Sequence, residues 1–527
     1  MKSELNNKKY PVPVIDLFAG PGGLAEGFSS VLSEGARVFK IKLSVEKEYD
    51  PHKTLQLRSF CRQFEPGYLP EEYYEMLRQP DEMRREKKID SLFIKYPSQF
   101  NDSKAEAWQA TLGSTHFPPE MIDKRISKCL AGYSNWVLIG GPPCQAYSLA
   151  GRSRVGGISE EDHRIYLYKE YLRIIAVHQP AVFVMENVKG LLSAEISTGK
   201  VFNKIIEDLR NPSIIFHGSL SRKYRIYSLV KEVVKTNSDY LIKSEFYGIP
   251  QKRHRVILLG IREDIDIIPP VLKARKMVSL QSVIGNLPVI RSGLNRRSSG
   301  FVFNGDKKMR QYLSVTDSPQ LWEKYINQFK QEILQWNGLT EFPDTGLVYS
   351  PEYETGAEYL PVASLLDDKH PLKSWYNDPR FTGITHHKSR SHLTDDLFRY
   401  MFAAIFSSTL KRFPRLSDYR KYSSRLLPDH ENASSGIFND RFRVQMPLIP
   451  ASTITSHISK DGHYFIHYDS SQCRTLTVRE AARIQTFPDN YLFRGSRTSQ
   501  YHQVGNAVPP FLAKQIGEIV FQVISQI

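Results

Sequence analysis

Trp136-Val137-Leu138-Ile139-Gly140-Gly141-Pro142-Pro143-Cys144-Gln145 is the stretch whose reading decides the fold. Four apolar residues in a row read as a buried parallel strand, since a strand covered on both faces has no polar alternation. Two glycines and two prolines then force the chain out of the sheet, because neither residue propagates regular structure. A cysteine follows at the tip of the turn, near the carboxyl end of a strand, where open α/β sheets place their ligands. A free cysteine is commonly just a small buried hydrophobe. The rest of the chain decides between the two readings.

Working outward, the same strand-and-turn grammar recurs. Val14-Ile15-Asp16-Leu17-Phe18 reads as the first strand, running into Ala19-Gly20-Pro21-Gly22-Gly23-Leu24 and a helical stretch, Ala25 to Leu32. A strand, a tight Gly-rich turn and a helix N-terminus let backbone approach a ligand closely. The spacing is not GxGxxG, so an ordinary βα turn is the alternative. Val38 to Val45 reads as a second strand ending at Glu46, a carboxylate suited either to ribose hydroxyls or to solvent. Ala181 to Met185 is a further buried run, ending at Glu186-Asn187, and Val256 to Gly260 is another, preceded by Gln251-Lys252-Arg253-His254-Arg255. Between these runs, Tyr166–Val177 reads as a helix, and Phe202, Ile205, Ile206 and Leu209 make the apolar face of a second. Gly151 to Gly157, with Arg152 and Arg154, reads as a basic loop beside Cys144, suited either to closing over a substrate or to plain loop chemistry.

Residues 51–130 are charged, and Arg84 to Lys88 reads as the solvated face of a helix. From about residue 272 to 473 the βα rhythm stops and short irregular elements are expected. Thr394 is placed as the cap of a helix whose buried stripe is Leu397, Met401 and Ile405. His386 to His392 is polar and basic, and contact with DNA is slightly favoured over solvation. Thr453–Ser459 and His463–Tyr468 flank Lys460-Asp461-Gly462 and read as a hairpin. His463 and His467 would need a helix to share a metal, the alternating aromatics argue for a strand, and no metal is expected. Order returns with a helix over Val478–Gln485 capped by Thr477, and with a final amphipathic helix over Phe511–Ile524.

The bulk numbers fit this picture. The 527 residues allow several domains, and 41% hydrophobic with 24% charged residues is ordinary for a folded chain. A net charge of +15 suggests a polyanionic partner, nucleic acid first. Residues 272–473 hold 26 Lys+Arg and 20 Asp+Glu, a net +6, so charge does not single that region out. Cys61, Cys129, Cys144 and Cys473 show no CxxC spacing, which points to a reducing cytoplasm. No run reads as a membrane span or a signal segment.

Together these residues resemble the cytosine-5 DNA methyltransferases. Six motifs occur in that family's order: DLFAGPGG at 16–23, GGPPCQ at 140–145, ENV at 186–188, QKRHR at 251–255, REAARIQTFPD at 479–489 and GNAVPP at 505–510. The resemblance implies an α/β, Rossmann-like S-adenosylmethionine-dependent methyltransferase domain, with a mostly parallel doubly wound sheet. Residues 10–271 and 474–527 would form it, and 272–473 a smaller, irregular target recognition domain. It implies that Cys144 attacks C6 of a flipped-out cytosine, its thiol made acidic by Arg255 and a helix N-terminus. Glu186, with a raised pKa, would serve N3 as an acid. Arg255 would hold the O2 edge, and Arg253 a phosphate. Phe18, Gly20, Gly22, Gly23, Leu24, Glu46, Pro142, Asn506 and Ala507 would surround the cofactor. Asp123 is the candidate for the adenine amino group, and no residue is assigned to remove the C5 proton. The expected partner is double-stranded DNA, read by a cytoplasmic monomer of a restriction–modification or related defence system, with a cognate endonuclease or defence proteins. A tRNA cytosine-5 methyltransferase is the alternative within the family; the long insert argues against it.

Overall fold

A computed structural model of the chain describes residues 11–143, 163–196, 199–214, 216, 222–304, 307–340, 346–363, 366–428 and 441–527. Its centre is an eight-stranded sheet: β1 (Val12–Leu17), β2 (Phe39–Glu46), β3 (Ala107–Gln109), β4 (Val137–Gly140), β5 (Val182–Val188), β6 (Tyr224–Ser228), β7 (Leu241–Lys243) and β8 (His254–Arg262). The spatial order is β6-β8-β5-β4-β1-β2-β3, with β7 also on β8. The β3-β2-β1-β4-β5 run is parallel, whereas β8 is antiparallel to β5, β6 and β7. The chain builds outward from β1 to β3 and then returns to the other side of β1 as β4. The carboxyl ends of β1 and β4 therefore flank the point where strand order reverses, the crevice in which such sheets bind ligands.

The apolar runs explain why both faces are covered. Val137 and Ile139 pack into one core and Trp136 and Leu138 into the other, so a strand without polar alternation is buried on both sides. The first face carries α1 (Gly23–Ser29), α11 (Val478–Ile484), α12 (Arg497–Asn506) and α13 (Pro510–Ile524). The second carries α6 (Pro119–Cys129), α7 (His163–His178) and α8 (Val201–Arg210). On α8, Phe202, Ile205, Ile206 and Leu209 are the buried face, as their spacing predicts. Both ends of the chain meet on the first face. A Cβ on Gly23 would sit 2.3 Å from the Val508 carbonyl oxygen, and one on Gly27 2.4 Å from Ala513 Cβ. These two glycines let α1 lie directly against the segment that opens α13.

Residues 49–106 form a helical module, α2 (Tyr49–Arg62), α3 (Glu71–Leu77), α4 (Glu82–Lys95) and α5 (Pro97–Glu106), with its own core around Phe60, Tyr73 and Leu92. The solvated reading of Arg84–Lys88 holds only in part. Arg85 is buried, donating to the carbonyls of Gln79 and Glu358, and Glu86 pairs with Arg494. Tyr73, Tyr74 and Asn490 extend the same seam through hydrogen bonds to one another's segments and to Asp378.

A third core, centred on Trp322, Phe329, Phe398, Met401 and Phe402, lies within residues 294–473. This part is more regular than the sequence suggests. It holds α9 (Pro319–Leu334), α10 (Thr394–Leu410) and an antiparallel ribbon, β9 (Arg296–Asn304) with β10 (Lys307–Ser314). Leu397, Met401 and Ile405 are buried as expected, but Thr394 is the first residue of α10, and Leu393 stands at the cap position. The expected hairpin over 453–468 is absent: Ser456–Ser459 is a 3-10 turn, and only isolated bridges join Ile466 to Val444 and Thr475. The reading of His386–His392 as a DNA contact also fails for its three histidines. His386, His387 and His392 are buried; His386 meets Glu358, and His387 spans the Pro288 carbonyl and the Thr477 hydroxyl. Polar spacing in sequence does not distinguish a solvated loop from one whose polar groups are paired internally.

Candidate active site

β1 ends in a turn built from left-handed residues, Phe18 (φ 58°), Gly20 (φ 56°) and Gly22 (φ 97°). That conformation is costly for phenylalanine, by roughly 1–3 kcal/mol, and persists only where the surroundings over-determine it. Here the fixing groups are Glu46 at the end of β2 and the N-terminus of α1. Glu46 Oε2 accepts the Gly20 N–H at 2.8 Å, and Oε1 accepts the Glu48 N–H at 2.8 Å. Burial raises the Glu46 carboxyl pKa, and those two N–H donors oppose the shift. Each carboxylate oxygen keeps a lone pair for a hydroxyl donor. Beside it, a Cβ on Gly20 would meet nothing within 4 Å, so the turn borders open space. The residues present fit the ribose of a nucleoside ligand.

The other expected cofactor residues divide into two groups. Phe18 and Gly20 line the turn, and Asn506 is exposed at the end of α12, its amide 3.2 Å from the His502 ring. Gly22, Gly23, Leu24 and Ala507 are buried, and three of their contacts have clear packing roles. A Cβ on Gly22 would lie 2.9 Å from Leu55, Leu24 sits in the core, and the Ala507 carbonyl accepts from Gln485. Pro142 is buried, its carbonyl 3.4 Å from the Asn187 amide.

Asp123 is a correction. It lies on α6, where its carboxylate takes Arg173 at 2.8 and 2.7 Å and His178 at 2.8 Å, so it ties α6 to α7. The position next to Glu46 belongs instead to Gln109 and Ala110, at the carboxyl end of β3. Gln109 is the sheet neighbour of Glu46, and the Ala110 N–H donates to the Glu46 carbonyl at 3.1 Å. A three-residue strand behind four helices leaves no periodicity in the sequence, and its ladder position was the only available signal.

The second half of the site comes from β4, β5 and β8. The antiparallel β5–β8 register pairs Glu186 with Ile257, which sets Arg255 on the same face, one diagonal step away. Arg255 Nε then lies 2.8 Å from Glu186 Oε1. Across β5, a Cβ on Gly141 would meet Glu186 Oε2 at 3.0 Å, so the turn leading to Cys144 passes directly over this carboxylate. Cys144 itself and the Gly151–Gly157 stretch lie outside the described residues.

Arg253 stands elsewhere than expected. It is 2% exposed, and its Nη1 donates to the carbonyls of Ile454 (2.8 Å) and Gly505 (3.1 Å) rather than facing a phosphate. Burial, with Arg255 nearby, lowers its pKa strongly. It belongs to a buried polar lattice that joins the late motifs. Gln251 donates to the Ile484 carbonyl at 3.1 Å and accepts the Ile454 N–H at 3.0 Å, while Gln485 donates to the carbonyls of Val504 and Ala507. Arg483 holds Asp489 with two bonds, 2.9 and 2.7 Å, and Arg474 holds Glu480 with another two, 2.8 and 2.7 Å. The 251–255, 479–489 and 505–510 motifs therefore form one scaffold. Among the described residues no group of three or more His, Cys, Asp or Glu side chains is placed to hold a metal ion.

The family model for C-5 cytosine-specific DNA methylases matches residues 120–522. The chain belongs to the C-5 cytosine-specific DNA methylase family. This methylase is 32% identical to the type II methyltransferase M.Bpa9945I of Bacillus paralicheniformis, over 97% of this chain and 99% of that one. It is 25% identical to the type II methyltransferase M.DdeI of Desulfomicrobium norvegicum, over 72% and 71%. It is also 25% identical to the DNA (cytosine-5-)-methyltransferase M.ApeKI of Aeropyrum pernix, over 76% and 83%. The methylase acts on cytosine C5 in DNA with S-adenosylmethionine as co-substrate, and the tRNA alternative is not favoured. None of its described helices is long and apolar enough to cross a membrane.

Proposed function

We propose that methylation proceeds through a covalent adduct of Cys144 with cytosine C6, at the site closed by Glu186 and Arg255. The observation that carries this reading is the Glu186–Arg255 pair directly beneath Gly141, three residues from the cysteine. C5 of cytosine is a poor nucleophile. A thiolate that bonds to C6 pushes the ring electrons toward N3, where a carboxylic acid donates a hydrogen bond or a proton, and C5 becomes enamine-like. S-adenosylmethionine supplies the methyl group. Loss of the C5 proton then expels the thiolate and breaks the S–C6 bond. Arg255 orients Glu186 through its Nε and has guanidinium N–H groups left for the O2 edge of the base. The target must leave the helix stack to reach these groups.

Phe18, Gly20, Glu46 and Asn506 are the residues we assign to the cofactor, with Glu46 on the ribose hydroxyls and Gln109–Ala110 nearest in position to the base. Residues 272–473 are assigned to recognition of the target sequence; the separate core drawn from residues 294–348 and 397–473 supports this, while Leu280, Leu360 and Ile454 of the same stretch pack into the core of the sheet. The names of the relatives as type II methyltransferases support a modification role in a type II restriction–modification system; a cognate endonuclease and a cytoplasmic location belong to the same reading.

The test is Cys144→Ser with a duplex carrying 5-fluorocytosine at the target. Fluorine does not leave as a proton does, so the wild type accumulates an adduct that survives denaturing electrophoresis. Cys144→Ser binds the duplex without forming the adduct, while Cys61→Ser, Cys129→Ser and Cys473→Ser still form it. An adduct that persists without Cys144 overturns the assignment.

A further inference from the structure

Among the described residues the β9–β10 ribbon is a sheet of two strands paired with no other strand. Its register puts Arg297 opposite Leu313, Gly300 opposite Gln311 and Val302 opposite Met309, all on one face; Ser298, Tyr312 and Arg310 fall on the other. The second face turns to the body of the lobe at Arg310, which lies 3.7 Å from Asp395 at the start of α10, while Tyr312 on the same face is 40% exposed. The first face looks outward. Val302 is 40% exposed, Met309 50% and Leu313 48%, and Arg297 and Gln311 are exposed beside them. A soluble surface does not ordinarily spend three apolar side chains in one row on a free-standing ribbon.

The ribbon is also held firmly at its root. Leu294 is buried in the third core, and its N–H donates to Asp317, while the Val315 N–H donates to the Asn295 carbonyl at 2.8 Å. Buried Arg291 grips Asp317 at 2.8 and 3.1 Å. A bulge at Ser298–Gly300, made by a glycine at φ 118°, adds twist midway along.

We infer that this ribbon enters the DNA major groove and that Arg297, Gln311, Met309, Val302 and Leu313 read the base edges of the methylation site. The major groove admits a two-stranded β-ribbon. The outward row combines the side-chain types that read it: arginine for guanine O6 and N7, glutamine for adenine N6 and N7, apolar groups for the thymine methyl. Charge points to the same occupant. Residues 296–314 contain Arg296, Arg297, Lys307, Lys308 and Arg310 against a single carboxylate, Asp306, a balance suited to phosphates flanking a groove. The inference rests on the assignment of residues 272–473 to target recognition and narrows it to one element.

The experiment begins by mapping 5-methylcytosine in DNA from cells expressing the wild type, which gives the target site. Gln311→Ala and Arg297→Ala are then mapped in the same way. Binding of each to the target duplex and to an unrelated duplex is measured, with S-adenosylmethionine binding as the control for fold. The expected result is relaxed preference at one or two base positions, with discrimination there falling about tenfold or more. Cofactor affinity stays unchanged, and a variant too weak to map shows the same selective loss in its binding to the target duplex. Unchanged preference in both variants overturns the ribbon assignment. Exchange of residues 272–473 for those of a relative with another target separates the two levels. If the exchange moves the methylated site and the ribbon variants do not, the ribbon alone is wrong; if neither does, the recognition assignment itself fails.

Discussion

Glu46 shows how one residue does two jobs. It holds the Gly20 turn in shape through one N–H, and in the proposed site its remaining lone pairs accept the ribose hydroxyls. Burial has raised its pKa, so acidification neutralises it earlier than an exposed glutamate. Because the carboxylate is the form that accepts ribose hydroxyls, S-adenosylmethionine affinity is expected to weaken as pH falls through that raised value. Glu46→Gln should lose about tenfold or more in affinity at neutral pH, as a charge-assisted bond is worth about 1.5–3 kcal/mol, and should flatten the pH dependence. Titration calorimetry across pH 5 to 8 checks both. The residue was legible as a carboxylate at a strand end, but its bond to Gly20 was not, because that bond crosses 26 positions.

At the scale of elements, the close approach of the β4 turn to β5 sets the position of the Glu186 carboxyl, the proposed acid. Gly141 faces Glu186 with no side chain, and a methyl there would stand 3.0 Å from Oε2. Gly141→Ala is therefore expected to push the carboxyl out of line and lower the single-turnover methyl-transfer rate roughly a hundredfold, with cofactor affinity unchanged. A rate within twofold of wild type would mean that the turn gives way instead. β1, β4, β5 and β8 were readable because each is a dense apolar run that only a sheet buried on both faces can absorb, whereas the short β3, β6 and β7 carry no such run. The elements that went astray are those whose structure is decided elsewhere. His386 and His387 look polar in sequence and become interior because Glu358, Pro288 and Thr477 wait for them. Arg253 sits in a basic cluster and is drawn inward by two carbonyls that lie 201 and 252 positions away.

Across the whole molecule those interior histidines link stability to pH. Burial pushes both His386 and His387 down to about 4, and lowers His392 and His467 as well. Their ordinary value is about 6.5, so the unfolded chain takes up protons that the folded one refuses. The stability they contribute is complete above about pH 6.5 and is lost as pH falls through 4. Glu358, held down to about 2 with its His386 partner, adds a loss below the ordinary glutamate range. Denaturant unfolding between pH 7 and 5 should show falling stability, by about 1.4 kcal/mol per pH unit for each proton taken up. His387→Gln should reduce that slope whatever its effect on absolute stability. A second expectation concerns the seam between the chain's two ends. Gly23→Ala forces a methyl against the Val508 carbonyl and should cost about 1–3 kcal/mol, read in the same unfolding experiment.

That seam also makes the first face of the sheet a joint product of two distant parts of the chain. The Gly-rich turn at residues 18–23 is pressed by Val508 and the opening of α13, far along the sequence. Without that segment the first face of the sheet is uncovered, and the Arg253 guanidinium loses the Gly505 carbonyl to which it donates. Two fragments cut between these parts should therefore be inert apart, and should recover S-adenosylmethionine binding only on reassociating.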